Sequence, residues 1–428
     1  MVKLNYNVIS LSKLKLQLYF FYFSAIALLC DGLFSYFLRG PLTYWRQLVV
    51  VVGLFLLIAA PKRLFNEKGR HFLLLVSLCV FIVIFRGIVT YIELEFNIIR
   101  LGYALILAIC GIPFFLFPAL IVCGHKDPLD FFLFFTILGS FFGIGMIFDG
   151  LYGGYFLFLK ENTLAIGVTI DDIYRYSFLS QIITTFGVFD AFCLMSSLYL
   201  MYKAKQLPIQ LIYLSSSLLI VAGSWFTGSR QILLPLCFME FIGIFGYWIY
   251  GKGNKILFSV LGGIFMFILS FWGYQFLVNK SSQAMNSRYS VENVQYDLRY
   301  LDWKQGVDDI LNDPFVMVFG KGLAYATGQK SQPHEEVGSH YENSFLARIS
   351  ETGISGLLLL LLPCVFILRQ VVLAQKMEYL DWLSLLVVSV YLFSSSCSPN
   401  GLGFTSQMAI YTLAGVYVFR DYFVQCNG

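Results

Sequence analysis

The chain has 428 residues, of which 58% are hydrophobic, 18% aromatic and only 13% charged, with a formal net charge of +4. Soluble domains carry about a quarter charged residues, so this composition excludes an ordinary soluble protein, and so small a charge gives no ground for a nucleic-acid partner. Hydrocarbon accepts segments of roughly 20 apolar residues that satisfy their own backbone as helices. The chain supplies such segments in succession, which predicts an all-α integral membrane protein with a single polytopic membrane domain over residues 1–428.

The polar start, Met1 to Gln17 with Lys3, Lys13 and Lys15, precedes an apolar run over 18–38. That run is too long for a signal-peptide core and has no small-residue cleavage site, so it is expected to be a retained first span. About twelve spans are predicted in all, near 18–38, 47–60, 71–94, 101–122, 131–149, 178–202, 208–226, 231–250, 256–278, 353–372, 380–396 and 404–420. With the N-terminus inside, the inner loops collect Lys62, Arg63, Lys68, Arg70, Lys126, Lys203, Lys205, Lys252, Lys255, Arg369, Lys376 and Arg420. The short outer loops hold only Arg39, Arg46, Arg100 and Arg230. This asymmetry predicts that both termini are cytoplasmic.

Two long segments then fall outside, about 150–177 and about 279–350. The second is expected to be one large loop bearing amphipathic helices. Its first helix starts near Asp297 as N-cap and carries Arg299, Leu301, Trp303, Val307, Ile310 and Leu311. Asn312-Asp313-Pro314 ends it, since proline lacks a donor and disfavours helix just before itself. Gly320-Lys321-Gly322 gives a turn. A second helix is predicted from near His340, with Phe345, Leu346 and Ile349 on one side, leading through Gly353 and Gly356 into the next span. Such helices are suited to lying at the membrane surface over an intramembrane cavity. The chain has nine cysteines, but this loop has none and no CxxC pair occurs, so neither a disulfide framework nor a zinc site is expected.

Arginines gather on the predicted outer face. Arg175 precedes a span, Arg230 ends the short Thr227-Gly228-Ser229-Arg230 connection, Arg288 and Arg299 lie in the large loop, and Arg86 lies inside the third span. A guanidinium offers a rigid fork that grips phosphate oxygens through two parallel hydrogen bonds, so several converging on one cavity make a metal-free diphosphate site. The bland alternative is that they cap helix ends or pair with nearby acids. Arg86 is costly in lipid and should face either an aqueous cavity or a partner such as Asp31. Beside them, Ser339-His340-Tyr341-Glu342-Asn343-Ser344-Phe345 offers two groups, His340 and Glu342, able to take a proton from a sugar hydroxyl. His334, Glu335, Glu336 and His340 match no standard metal-ligand spacing. The first outer loop, Arg39 to Trp45, holds none of the acids typical of metal-dependent membrane glycosyltransferases. No metal and no cofactor are therefore expected.

These features together resemble the O-antigen polymerase and O-antigen ligase superfamily of bacterial envelope assembly. The likeness rests on about twelve spans, Thr227-Gly228-Ser229-Arg230 opening a span, and one large late periplasmic loop. Within that loop Arg299, Trp303, Asn312-Asp313-Pro314 and Gly320-Lys321-Gly322 are similar to the superfamily's Arg, Trp, Asn-Pro and Gly-x-Gly series, and Glu342-Asn343, Gly353 and Gly356 follow in frame. Ligases carry His before the Asn, where this chain has Glu342, with His340 two positions earlier. The resemblance implies a multi-pass glycosyltransferase of the bacterial inner membrane acting at its periplasmic face in lipopolysaccharide or other surface-polysaccharide biosynthesis. It would perform metal-independent, inverting transfer from undecaprenyl-diphosphate-linked oligosaccharides.

Carried over by position, Arg230 and Arg299, with Arg288 and Arg175, would hold the donor diphosphate, and Glu342 or His340 would be the general base. Trp303, Tyr300, Asn343 and Tyr341 are candidates for glycan contact, with anchoring at the membrane interface as the alternative for the aromatics. Membrane lipids, and a chain-length regulator protein, complete the expected partners. Glu342 favours a polymerase of lipid-linked repeat units over a ligase that delivers the glycan to lipid A core. The third alternative is a polysaccharide flippase or transporter without catalysis. That function calls for charged residues inside spans and for short loops; only Arg86 and Asp31 fit the first, and a loop of about 70 residues does not fit the second.

Overall fold

A computed structural model describes residues 11–37, 45–60, 64–94, 98–124, 126–152, 169–170, 173–174, 186–226, 230–251, 260, 263, 298–323, 343–397 and 403–425. The described architecture is helical throughout, apart from a two-residue antiparallel pairing of Thr169–Ile170 with Ile173–Tyr174. Among the described residues, seven helices are long and apolar enough to cross a membrane. They match the expected spans 71–94, 101–122, 131–149, 208–226, 231–250, 353–372 and 380–396. Trp45–Ala59 is a shorter apolar helix at the expected 47–60. The expected 256–278 span lies outside the described residues except for 260 and 263.

Lipid contact is written into side-chain spacing. In the Glu67–Leu94 helix, Leu74, Leu78, Phe81, Phe85, Ile88 and Ile92 are exposed at alternating steps of four and three, while Phe72, Val76, Cys79 and Val83 are buried on the opposite side. Pro128–Leu151 repeats the pattern with Ile137, Phe141, Ile144 and Phe148, and Arg230–Tyr250 with Leu234, Phe238, Phe241, Phe245 and Trp248. A helix apolar on both faces, with one face open, is at home only in hydrocarbon. The protein is an α-helical membrane protein.

Among the described residues, two long helices lie in the interior beside the buried 112–122 stretch. Every residue of Phe404–Val418 is buried, and Gly187 to Met201 of Phe186–Lys203 are buried as well. Around them the phenylalanines interlock edge to face, Phe117 with Phe131 and Phe135 with Phe192 among others. Glycine sets the closest approach: a Cβ on Gly223 would strike the backbone of Gly143, so Leu207–Phe226 and Pro128–Leu151 meet main chain to main chain.

Breaks depart from the uninterrupted spans the sequence suggests. The first helix runs Leu11–Leu29 and restarts as Asp31–Phe37, where Asp31 pairs with Arg46 at 3.5 Å. The expected 101–122 span is Ile98–Ile109, a 3-10 turn Ile112–Phe115 and Leu116–Cys123. Gly111 sits at that junction because a side chain there would meet the Gln407 backbone, and Pro113 starts the turn with no donor to lose. At the far end, Asp381 is fully buried and accepts from Arg420 Nε at 2.7 Å and from the Tyr417 hydroxyl at 3.0 Å. The same carboxylate holds the Arg420 guanidinium above its ordinary pKa range.

Candidate functional site

The late segment carrying most of the expected site folds as three helices. Leu298–Asn312 matches the helix expected from Asp297, with Ile310 buried and Trp303 half-buried. Asn312-Asp313-Pro314 ends it and also starts the next helix, which sequence reading passes over. The Asp313 carboxylate accepts from Phe315 N at 2.9 Å, and Pro314–Phe319 follows with proline in its first turn. Gly320 (φ 72°) and Gly322 (φ 133°) then make the expected turn.

The third helix begins at Ser344, not near His340. Asn343 caps it from an extended conformation, its side-chain oxygen accepting from Phe345 N and Leu346 N at 2.9 and 3.1 Å. Its Nδ2 donates to the Ser396 carbonyl at 2.9 Å, tying this end to the end of Tyr379–Cys397. The helix runs to Val372 but kinks at Thr352–Gly353, where Gly353 takes φ 63° and ψ −152°. Glycine is needed there twice over. The conformation belongs to glycine, and a Cβ would collide with the Val318 carbonyl.

Around the kink, three motif glycines lock together. Carbonyls released by the break are taken up by the preceding turn: Lys321 N donates to Ser350 O at 2.6 Å and Gly322 N to Glu351 O at 3.1 Å. A Cβ on Gly320 would strike Glu351 and Thr352 main chain. Arg86, deep in the Glu67–Leu94 helix, donates to the Gly320 carbonyl at 3.1 Å and lies over the Phe315 ring at 5.8 Å. Of the two fates open to this arginine, a backbone carbonyl is the partner found; Asp31 belongs with Arg46.

Sequence reading overlooked a buried ion pair. Arg348 is 2% exposed and its Nη1 donates to Glu351 at 2.8 Å, one turn along and fully buried. The signal was present, since an arginine and a glutamate three apart stand at the head of a long apolar run. Buried hydroxyls of Ser350, Ser395 and Ser406 have no hydrogen-bond partner among the described residues. Charged residues inside spans are also more numerous than the pair Arg86 and Asp31. Asp149, Asp190, Glu240 and Asp381 are all buried, and Glu240 meets the Ser217 hydroxyl at 2.8 Å.

Arg230 opens the Arg230–Tyr250 helix. Two positions on, Ile232 lies 3.2 Å from where a Cβ of Gly187 would be, and Ser394 Oγ lies 3.8 Å from the same point. The start of that helix and the Asn343 cap are therefore at the same end of the bundle. Arg299 and Tyr300 are in the first turn of Leu298–Asn312, and of these two and Arg230 only the backbone is described. Arg175, Arg288, His340, Tyr341 and Glu342 lie outside the described residues, as do His334, Glu335 and Glu336. Among the described residues no three His, Cys, Asp or Glu side chains group as a metal site. No protein-family model and no curated protein matches the chain.

Proposed function

We propose that the chain is a polymerase of the bacterial inner membrane, joining undecaprenyl-diphosphate-linked repeat units by metal-independent, inverting glycosyl transfer at the periplasmic face. Both termini are cytoplasmic in this reading, about twelve spans surround the site, and the loop 279–350 covers it. The acceptor hydroxyl attacks the anomeric carbon from the face opposite the lipid diphosphate. Glu342 or His340 takes the hydroxyl proton, an assistance typically worth about 10²–10⁴-fold. The leaving diphosphate needs charge stabilisation more than protonation, which Arg230 and Arg299, with Arg288 and Arg175, supply.

One observation carries the reading: the described members of the motif series are one packed unit. The Asp313 cap, the Gly320 and Gly322 turn and the Gly353 kink close on each other, with Asn343 capping the same helix and the head of Arg230–Tyr250 at the same end. Residues that interlock in space explain why their spacing resembles a known series. The test is in vitro. Purified protein supplied with lipid-linked repeat units should lengthen them without any ion gradient, and Arg230→Ala and Arg299→Ala should each abolish long chains at normal membrane levels. Normal chain lengths in both variants end the diphosphate reading; comparing Glu342→Gln with His340→Ala identifies the base.

The buried carboxylates favour a second reading, a transporter of lipid-linked glycans. Ionisable groups inside a membrane protein commonly mark substrate or ion pathways, and Asp190 and Glu240 lie in spans away from the cytoplasmic ends. In that case the purified protein moves the substrate across a vesicle membrane and leaves its length unchanged.

A further inference from the structure

We infer that the six-residue helix Pro314–Phe319 is a lipid-inserted strap, with its apolar face immersed at the edge of the bilayer's hydrocarbon. Its sequence, Pro-Phe-Val-Met-Val-Phe, contains no polar side chain, yet only Val316 is buried. Phe315, Met317, Val318 and Phe319 are each about half exposed. A helix lying in water does not present four such neighbours, whereas one lying in the interfacial plane does.

Depth follows from two independent rulers. Arg86 stands 15 residues along its span from His71, just past the charged head Glu67, Lys68 and Arg70, which at 1.5 Å per residue is about 22 Å. Gly353 stands 16 residues from Arg369 in the last turn of its own helix, about 24 Å. The two helices run antiparallel, because the Phe72 and Phe366 rings meet at 4.8 Å, tilted, towards their other ends. Arg86 holds Gly320, and Gly353 packs on Val318. Both rulers therefore set the strap in the outer part of a hydrocarbon layer roughly 30 Å thick, the depth at which interfacial helices lie.

The lipid-facing surface is also continuous at this point. Phe85 and Ile88 flank Arg86 on the exposed stripe of their helix, and exposed Ile354 and Leu358 follow Gly353 on the other. The strap lies against both, with exposed Asp313 at its start and half-buried Lys321 just beyond its end. Of the candidate occupants (water, a second protein surface and lipid), lipid alone already covers both neighbours.

Full-length protein in lipid nanodiscs tests this with added tryptophans at Phe319 and Met317, each read as a difference from the parent protein, and Asp308→Trp on the exposed polar side of Leu298–Asn312 as the water-facing control. Lipids brominated high on the acyl chain should quench most of the added Phe319→Trp and Met317→Trp emission. Lipids brominated near the chain end should quench less, and Asp308→Trp should change little in either. Quenching no stronger than at Asp308 overturns the inference and leaves water or a protein partner on this face. Should Phe319→Trp fail to accumulate, Met317→Trp alone decides.

Discussion

Two constraints meet at Gly353. Its φ/ψ lies in a region essentially reserved for glycine, where other residues are strained by about 1–3 kcal/mol, and the missing Cβ makes room for the Val318 carbonyl. Gly353→Ala is expected to lose at least about 3 kcal/mol, seen as a large drop in thermal stability of the detergent-solubilised protein. A shift no greater than that of Gly102→Ala, where a Cβ would meet nothing within 4 Å, would show that the kink is not enforced as described. Arg348 and Glu351 make a second residue-scale case. Removing one member of a buried pair costs about 3–5 kcal/mol because it strands a charge, whereas apolar replacement of both is often neutral. Glu351→Leu alone should therefore destabilise strongly and Arg348→Met with Glu351→Leu should recover most of the loss. If the double variant is as unstable as the single, the pair is tied into a larger network than its own bond.

At the scale of elements, what the sequence made legible was the hydropathy. Seven expected spans coincide with long helices, and Leu298–Asn312 lies where its periodicity and its Asn-Asp-Pro end put it. Breaks were illegible where main-chain packing causes them: Gly111 yields to the Gln407 backbone three hundred residues away, a contact no local pattern encodes. Pro314–Phe319 was missed because Asp313-Pro314 reads equally as a stop and as a cap with proline in the first turn. Of the candidate site, Asn343 and Gly353 have defined places. The arginine forks and the proton acceptor rest on side chains outside the described set. The last helix is fixed by a detail sequence alone cannot pair. Asp381 is bound by Arg420, by the Tyr417 hydroxyl and by Glu378 N at 2.8 Å, and Arg420 Nη2 also donates to the Lys376 carbonyl at 3.0 Å. Asp381→Asn should cost about 3 kcal/mol or more and Arg420→Lys a large part of that, since an ammonium lacks the fork. Equilibrium unfolding in mixed micelles reads both, and an Arg420→Lys protein as stable as the parent would reduce this contact to a surface pair.

Over the whole molecule, the distribution of apolar residues inverts the logic of a soluble fold. Large side chains such as Leu78 and Phe81 are exposed while Phe404–Val418, with its threonines, serine, glutamine and tyrosines, is wholly enclosed. In water those hydroxyls and the amide would be turned outside. In lipid its hydroxyls need protein partners, and the Tyr411 hydroxyl finds one in the Leu359 carbonyl at 2.9 Å. Truncation costs still follow burial, but at the exposed positions the reason is acyl-chain contact and not solvation by water. Leu413, fully buried in the central helix, should lose about 2–5 kcal/mol on replacement by alanine, because a cavity remains among rigid neighbours. Leu78, facing lipid, should lose little, because acyl chains close over the smaller side chain and the apolar area never met water in the folded or the membrane-inserted unfolded state. Steric trapping or thermal unfolding in bilayer nanodiscs measures the two side by side. A Leu78→Ala protein as damaged as Leu413→Ala would mean that the Leu74–Ile92 stripe is covered by protein and not by lipid, and the inside-out assignment of the bundle would fall with it.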